Sequence, residues 1–300
     1  MKNLIYLLLA LPLLFASCSN DAAIANEEAV EISFCAELPQ AMGTRATSTL
    51  NVDKVYCAVF ENGTEVARLR KEIDIVAGQS ISFTPTLIKG RTYDVAFWAS
   101  KSGAYDMTDM TAITRATGTT LPESDFDAFT AHTTVSVESS KEVSISLTRP
   151  FAQLNLGVTP EDWDGVASES TFNMTPTTSS ISLTGKSKFN AVTGLAVGED
   201  ATITYNLTAS GEEFIVNSTY KNIATCYVMI EGGGKQNFNI KFSVYDQNGD
   251  VIREDVEITE VPLQANYKTN VLGGLLTGTV TYKITLNEGF NADENNKDIQ

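Results

Sequence analysis

This sequence predicts an all-β fold, arranged as two tandem antiparallel β-sandwich domains, and three observations carry that expectation. Apolar and polar residues alternate in short runs, the period of a half-buried strand rather than of a helix. Turn signals such as Asn62-Gly63 and Asp246-Gln247-Asn248-Gly249-Asp250 punctuate those runs. The length, 300 residues, is roughly twice that of a usual domain, so the strands are expected to divide between two cores.

The first run is Val30-Glu31-Ile32-Ser33-Phe34-Cys35-Ala36-Glu37-Leu38. Val30, Ile32, Phe34, Ala36 and Leu38 fall on one face, and that face is expected to be buried. Strands are then expected at Val52 to Phe60, Glu65 to Leu69, Ile81 to Thr84, Tyr93 to Ala99, Val135 to Val137 and Val143 to Leu147. Thr148-Arg149-Pro150 is the expected seam, because proline sits poorly inside a central strand. It divides a first sandwich, residues 46–148, from a second, residues 149–290. The second half offers Phe151 to Val158, Ile181 to Leu183, Ile203 to Leu207, Ala224 to Ile230, Phe238 to Tyr245 and Val251 to Ile258. Residues 291–300 read as a polar tail.

Helical signal is weak. Tyr105 to Thr117 has room for a turn or two. Thr159 is a fair N-cap with Pro160 behind it, but Gly165 follows and no 3.6-residue period develops, so one turn is expected. Asp246, Asn248, Asp250 and Glu257 match EF-hand positions, yet Val251 stands where that loop needs glycine, so the segment reads as a hairpin turn. The Glu161-Asp162-Trp163-Asp164 cluster reads as a loop or a single turn around a half-buried tryptophan.

Composition narrows function. The chain carries 37 acidic against 21 basic residues, a net charge of −16, and shows no basic cluster of the kind that neutralises phosphates. His132 is the one histidine, which excludes a two-histidine zinc site, and no GxSxG, GxGxxG or GxxxxGK[ST] motif occurs. No enzyme, cofactor, metal or nucleic-acid partner is therefore expected. Cys35, Cys57 and Cys226 are widely spaced and odd in number, which is no disulfide framework.

Residues 1–17 have a short positive start and an apolar core too short to span a bilayer, the pattern of a signal peptide. They end in Phe15-Ala16-Ser17-Cys18, which resembles a bacterial lipobox and makes Cys18 the expected lipidation site. Residues 18–45 then read as an acylated tether followed by the first strand. Pro39 to Ala46 has loop composition, so Arg45 is expected to be open to a protease.

Taken together, the lipobox cysteine, the alternating strand from Val30, Gly43-Thr44-Arg45-Ala46, the run Leu147 to Leu156 and the run Asn266 to Thr277 resemble the Bacteroidales fimbrillin-like family of type V pilin subunits and surface lipoproteins. The resemblance implies transthyretin-like Greek-key sandwiches. It also implies export to the outer membrane as a lipoprotein, and cleavage between Arg45 and Ala46 by a trypsin-like protease. A strand from another fimbrial subunit then replaces the one removed, placing the product in an extracellular fimbrium with a possible part in adhesion. Val280, Tyr282, Ile284 and Leu286 alternate like the lost strand and form the candidate donor. The alternative is a permanently lipid-anchored surface protein that binds a glycan or host ligand without polymerising.

Overall fold

A computed structural model describes residues 27–39, 50–76, 79–169, 174–213 and 219–287. The first half contains β1 (Ala29–Glu37), β2 (Lys54–Glu61), β3 (Thr64–Glu65), β4 (Lys71–Asp74), β5 (Ile81–Phe83), β6 (Thr86–Ile88), β7 (Thr92–Ser100), β8 (Tyr105–Asp106), β9 (Thr114–Arg115), β10 (Ala128–Ser136) and β11 (Lys141–Ser146). The second contains β12 (Phe151–Val158), α1 (Pro160–Glu169), β13 (Thr178–Asn190), β14 (Leu195–Thr208), β15 (Lys221–Met229), β16 (Gln236–Tyr245), β17 (Val251–Leu263), β18 (Lys268–Gly274) and β19 (Thr281–Asn287). The architecture is all-β and sandwich-like, as the alternation predicts.

In the first half, one sheet joins β5, β6 and β11 through β1, and the other runs β10-β7-β2 with β3 and β4 beside β2. Their inner faces enclose a core of Ile32, Phe34, Cys57, Val95, Phe97 and Phe129, among others. In the second half, sheets β15-β12-β18-β19 and β14-β13-β16-β17 enclose a core that includes Leu154, Leu156, Phe242 and Val271. Most pairings are antiparallel, but β1 runs parallel to β11 and β12 runs parallel to β18.

Several local expectations are corrected. Glu65 to Leu69 is not a strand: only Thr64–Glu65 pairs with β2, a single 3-10 turn follows at Ala67–Leu69, and β4 takes the next place along β2. Tyr105 to Thr117 forms no helix: β8 and β9 pair across it, and a single turn closes between them, from the Ala112 amide to the Asp109 carbonyl at 3.1 Å. Conversely, the expected single turn at Thr159 is a ten-residue helix. Its start is capped by the Thr159 hydroxyl, which accepts from the Asp162 amide at 3.2 Å. Burial of Asp162 and Val166 against the sandwich outweighs the weak propensity around Gly165. The Asn62-Gly63 signal was sufficient for its hairpin: both residues have positive φ, 51° and 77°, as a two-residue turn between twisted strands requires.

A third apolar cluster lies between the halves. Trp98, Tyr105, Met110, Phe126, Phe151 and Phe189 belong to it, and Trp98 meets Phe151 edge-on at a ring separation of 5.9 Å. Two charged clamps flank this joint. Arg149, 7% exposed, grips both carboxylate oxygens of Asp127 at 2.7 Å and stacks over Phe129. Arg115 grips Glu123 in the same forked way and also donates to the Tyr227 carbonyl, while Glu123 accepts from the Tyr227 amide. The two halves therefore meet through a buried aromatic layer, bridged by hydrogen bonds from one half to the backbone of the other.

Candidate functional site: the first strand and its groove

Each strand of its sheet pairs with β1, and among the described residues β5, β6 and β11 pair with nothing else. β11 runs parallel to it from Ile32 opposite Lys141 to Glu37 opposite Ser146. On the other side β5 covers Phe34 to Ala36 and β6 covers Ala29 to Glu31, both antiparallel. One strand thus supplies the hydrogen bonds of half a sandwich. Backbone bonds beyond the ladder extend this, from the Ile32 amide to the Pro85 carbonyl at 3.2 Å and from the Leu147 amide to the Glu37 carbonyl at 2.9 Å.

The alternation predicted for this strand is realised in space. Ile32, Phe34 and Ala36 are buried, and Val30 and Leu38 are half-buried against the same core. Phe34 packs in an aromatic trio, 6.1 Å from the Phe83 ring and 5.8 Å from the Phe97 ring. Ala36 lies in register between Ile81 and Ile145. On the opposite face Glu31 and Glu37 are exposed, and Ser33 bonds the Thr84 hydroxyl at 3.2 Å. Ion pairs hold the strand's entry: Lys89 to Glu28 at 2.7 Å, and Arg91 to Glu27 and to Glu61. They are solvent-exposed and contribute little individually.

Cys57 on β2 lies in the core opposite this strand, 0% exposed, and burial pushes its thiol up to about 12. Cys226 is equally buried in the second core, while Cys35 is half-buried on β1; all three are free thiols.

Cys18, Arg45 and Ala46 lie outside the described residues. The candidate donor segment forms β19 from Thr281 onward, an edge strand paired with β18, with Val280 just before it. Val280 and Ile284 pack against the second core and Leu286 is half-buried, whereas Tyr282 is 41% exposed. Asp162 secures the loop before β19: its carboxylate accepts from the amides of Leu275, Leu276 and Thr277 at 2.7–2.9 Å and from the Thr277 hydroxyl at 2.6 Å. The acidic cluster around Trp163 therefore holds a loop, and among the described residues no group of acidic, histidine or cysteine side chains is arranged to hold a metal. Gly211, at φ 67°, lies under the Trp163 ring, where a Cβ would come within 2.7 Å. His132 is exposed on β10.

Sequence reasoning located the buried face of β1 but missed that β1 is the hub of its sheet. It also missed the joint between the halves. A signal for the joint was present in Val95-Ala96-Phe97-Trp98-Ala99, which is apolar on both faces and so had to be covered on both.

Fold and site together define a two-sandwich β protein whose first sheet is organised by its own N-terminal strand. The chain belongs to the family of unknown function DUF6562, whose model matches residues 23–300. No curated protein matches it in sequence. Among solved structures it shares the fold of a Bacteroides thetaiotaomicron protein of the DUF1812 group, provisionally named as polysaccharide-binding, at 12% identity and a TM-score of 0.51 over 90% of this chain and 98% of that one. Weaker likenesses include a provisionally named adhesin of Bacteroides ovatus (13% identity, 86% of this chain and 92% of that one, TM-score 0.48). Another is the tip fimbrial protein Mfa3 of Porphyromonas gingivalis with a C-terminal truncation (13% identity, 87% and 100%, TM-score 0.44).

Proposed function

We propose that this protein is a cell-surface subunit of a fimbrial or adhesive assembly, exported as a lipoprotein on Cys18 and assembled by exchange of its first strand. Cleavage between Arg45 and Ala46 by a trypsin-like protease frees β1 from the rest of the chain and the lipid with it. A strand from another subunit then takes the vacated place, and head-to-tail contacts of that kind extend without closing.

One observation carries the reading: β5, β6 and β11 pair only with β1 among the described residues. Losing it leaves three separate strands over an apolar floor, so replacement is a condition of keeping the sheet and not an optional contact. Full burial of Ile32 and Phe34 alone is worth roughly 1.5–3 kcal/mol each, enough to make a replacement strand long-lived once its backbone is also paired.

N-terminal sequencing of the mature surface protein tests this. The expected product begins at Ala46 and runs as a heat-sensitive ladder on unboiled gels. Mature protein that keeps the acylated Cys18 fragment and runs as a monomer would overturn it. That outcome favours the second reading, a permanently anchored binding protein. An observation supports that reading too: an open polar cleft lined by Lys186, Asp200, Glu231, Asn237, Phe238 and Glu260 lies on a fold shared with a protein named for polysaccharide binding. Glycan binding by the intact monomer is its measurable consequence.

A further inference from the structure

β1 presents a graded face to the groove beneath it. Going along the strand, the half-buried Val30 is followed by Ile32 and Phe34, both 0% exposed, and then by Ala36 at 3%. The Phe34 place is an aromatic slot between Phe83 and Phe97. The Ala36 place is filled by a small buried side chain, flanked in the sheet by Ile81 on one side in register and Ile145 on the other. Large-then-small at a spacing of two is therefore what the floor accepts, since close-packed interiors resist added methylenes as well as missing ones.

We propose that this groove takes its donor strand from a different subunit, one that offers an aromatic ring at the Phe34 place and alanine or glycine two residues on, and that it rejects residues 279–300 of a second copy of this chain. The inference rests on the strand-exchange reading above and specifies its partner.

The rejection can be read position by position. Threaded in the direction of β1 with its apolar side inward, the segment brings Ile284, Leu286 or Tyr282 to the Ala36 place, according to the register. Phe290-Asn291-Ala292 does repeat the Phe-x-Ala step, but it carries Glu288 into the Ile32 place, where a carboxylate is buried without a partner. Threaded in reverse, Val280 falls at the Ala36 place while Tyr282 enters the aromatic slot, which offers its hydroxyl no polar neighbour among Phe34's ring partners. Each alternative puts a bulky or branched side chain, a carboxylate or a phenolic hydroxyl where β1 has none. β19 is moreover already engaged, paired with β18 along its length and held through the loop that Asp162 secures.

The test is a peptide competition on the lipid-free chain (Cys18→Ser), cut after Arg45 with the first-strand fragment still in place. The fragment is released in mild denaturant. The chain is then returned to buffer with an equimolar mixture of three peptides: residues 28–39, the same sequence with Ala36→Leu, and residues 279–300. Native mass spectrometry reads which peptide is held. Capture of the native 28–39 peptide, with the Ala36→Leu peptide about tenfold or more weaker and residues 279–300 absent, supports the proposal. Capture of residues 279–300 or of the Ala36→Leu peptide on equal terms overturns it and leaves strand exchange standing. Failure to recapture even the native peptide overturns the exchange reading, and this inference with it.

Discussion

Cys57 makes the groove measurable. The perturbation is removal of β1: the chain is cut after Arg45 and the fragment separated. In the intact protein Cys57 is 0% exposed, and burial lifts its thiol from the ordinary 9.0 to about 12. At pH 8 that leaves roughly one thiol in ten thousand ionised, against about one in ten for an unburied thiol, so reactivity is depressed about a thousandfold by ionisation alone. Because Cys57 projects from β2 into the core that Phe34 and Ile32 roof, removing β1 wets it. Cys226, buried in the second core, is the internal control, and Cys35 departs with the fragment. Iodoacetamide labelling at pH 8, read by peptide mass spectrometry, is expected to modify Cys57 at least about a hundredfold faster after removal and to leave Cys226 unchanged. Two outcomes refute the reasoning. If Cys57 stays as slow as Cys226, β1 is not the roof of that core; if both accelerate together, the second sandwich depends on the first strand and the groove is not a local feature.

Two further outcomes follow from the same structure. Asp162→Ala removes four hydrogen bonds accepted by one carboxylate; it is expected to destabilise the second sandwich by about 2–4 kcal/mol in urea unfolding and to speed hydrogen exchange of the 275–277 amides, whereas Asp164→Ala, on the exposed side of the helix, is expected to change little. Stability is also expected to fall as pH rises above about 9. Burial suppresses the ionisation of Cys57, Cys226 and Tyr205 in the folded state by raising their pKa values, so the native protein holds protons that the unfolded chain releases, and the slope of unfolding free energy with pH is negative there. Denaturant midpoints at pH 8 and pH 10.5 check the sign.

Legibility differed between elements for identifiable reasons. Phe151–Val158 was readable to the residue because it is a dense apolar run ended by Thr159-Pro160. The α1 helix was read as one turn because its sequence is poor in helical period; what lengthens it is the burial of Val166 in the second core and of Asp162 against a loop about 110 residues further on, which no local window contains. Arg149 was noticed only as part of a seam. Its role, closing a forked pair on Asp127 beneath the joint between the halves, depends on a partner brought near by folding.

By itself, then, the sequence determined that the chain is β, that Val30, Ile32, Phe34, Ala36 and Leu38 share an inward face, and where Asn62-Gly63 turns. Each of these follows from backbone sterics and a two-residue period acting over a few positions. Only the tertiary structure decided that β1 is the hub of its sheet, that it lies parallel to β11, that Phe34 meets the Phe83 and Phe97 rings while Ala36 is buried between Ile81 and Ile145, and that an aromatic layer joins the two sandwiches. Those are matters of which distant segments meet. Pairing between strands a hundred residues apart is chosen by the packing of the whole core, and alternation along any single strand is blind to it.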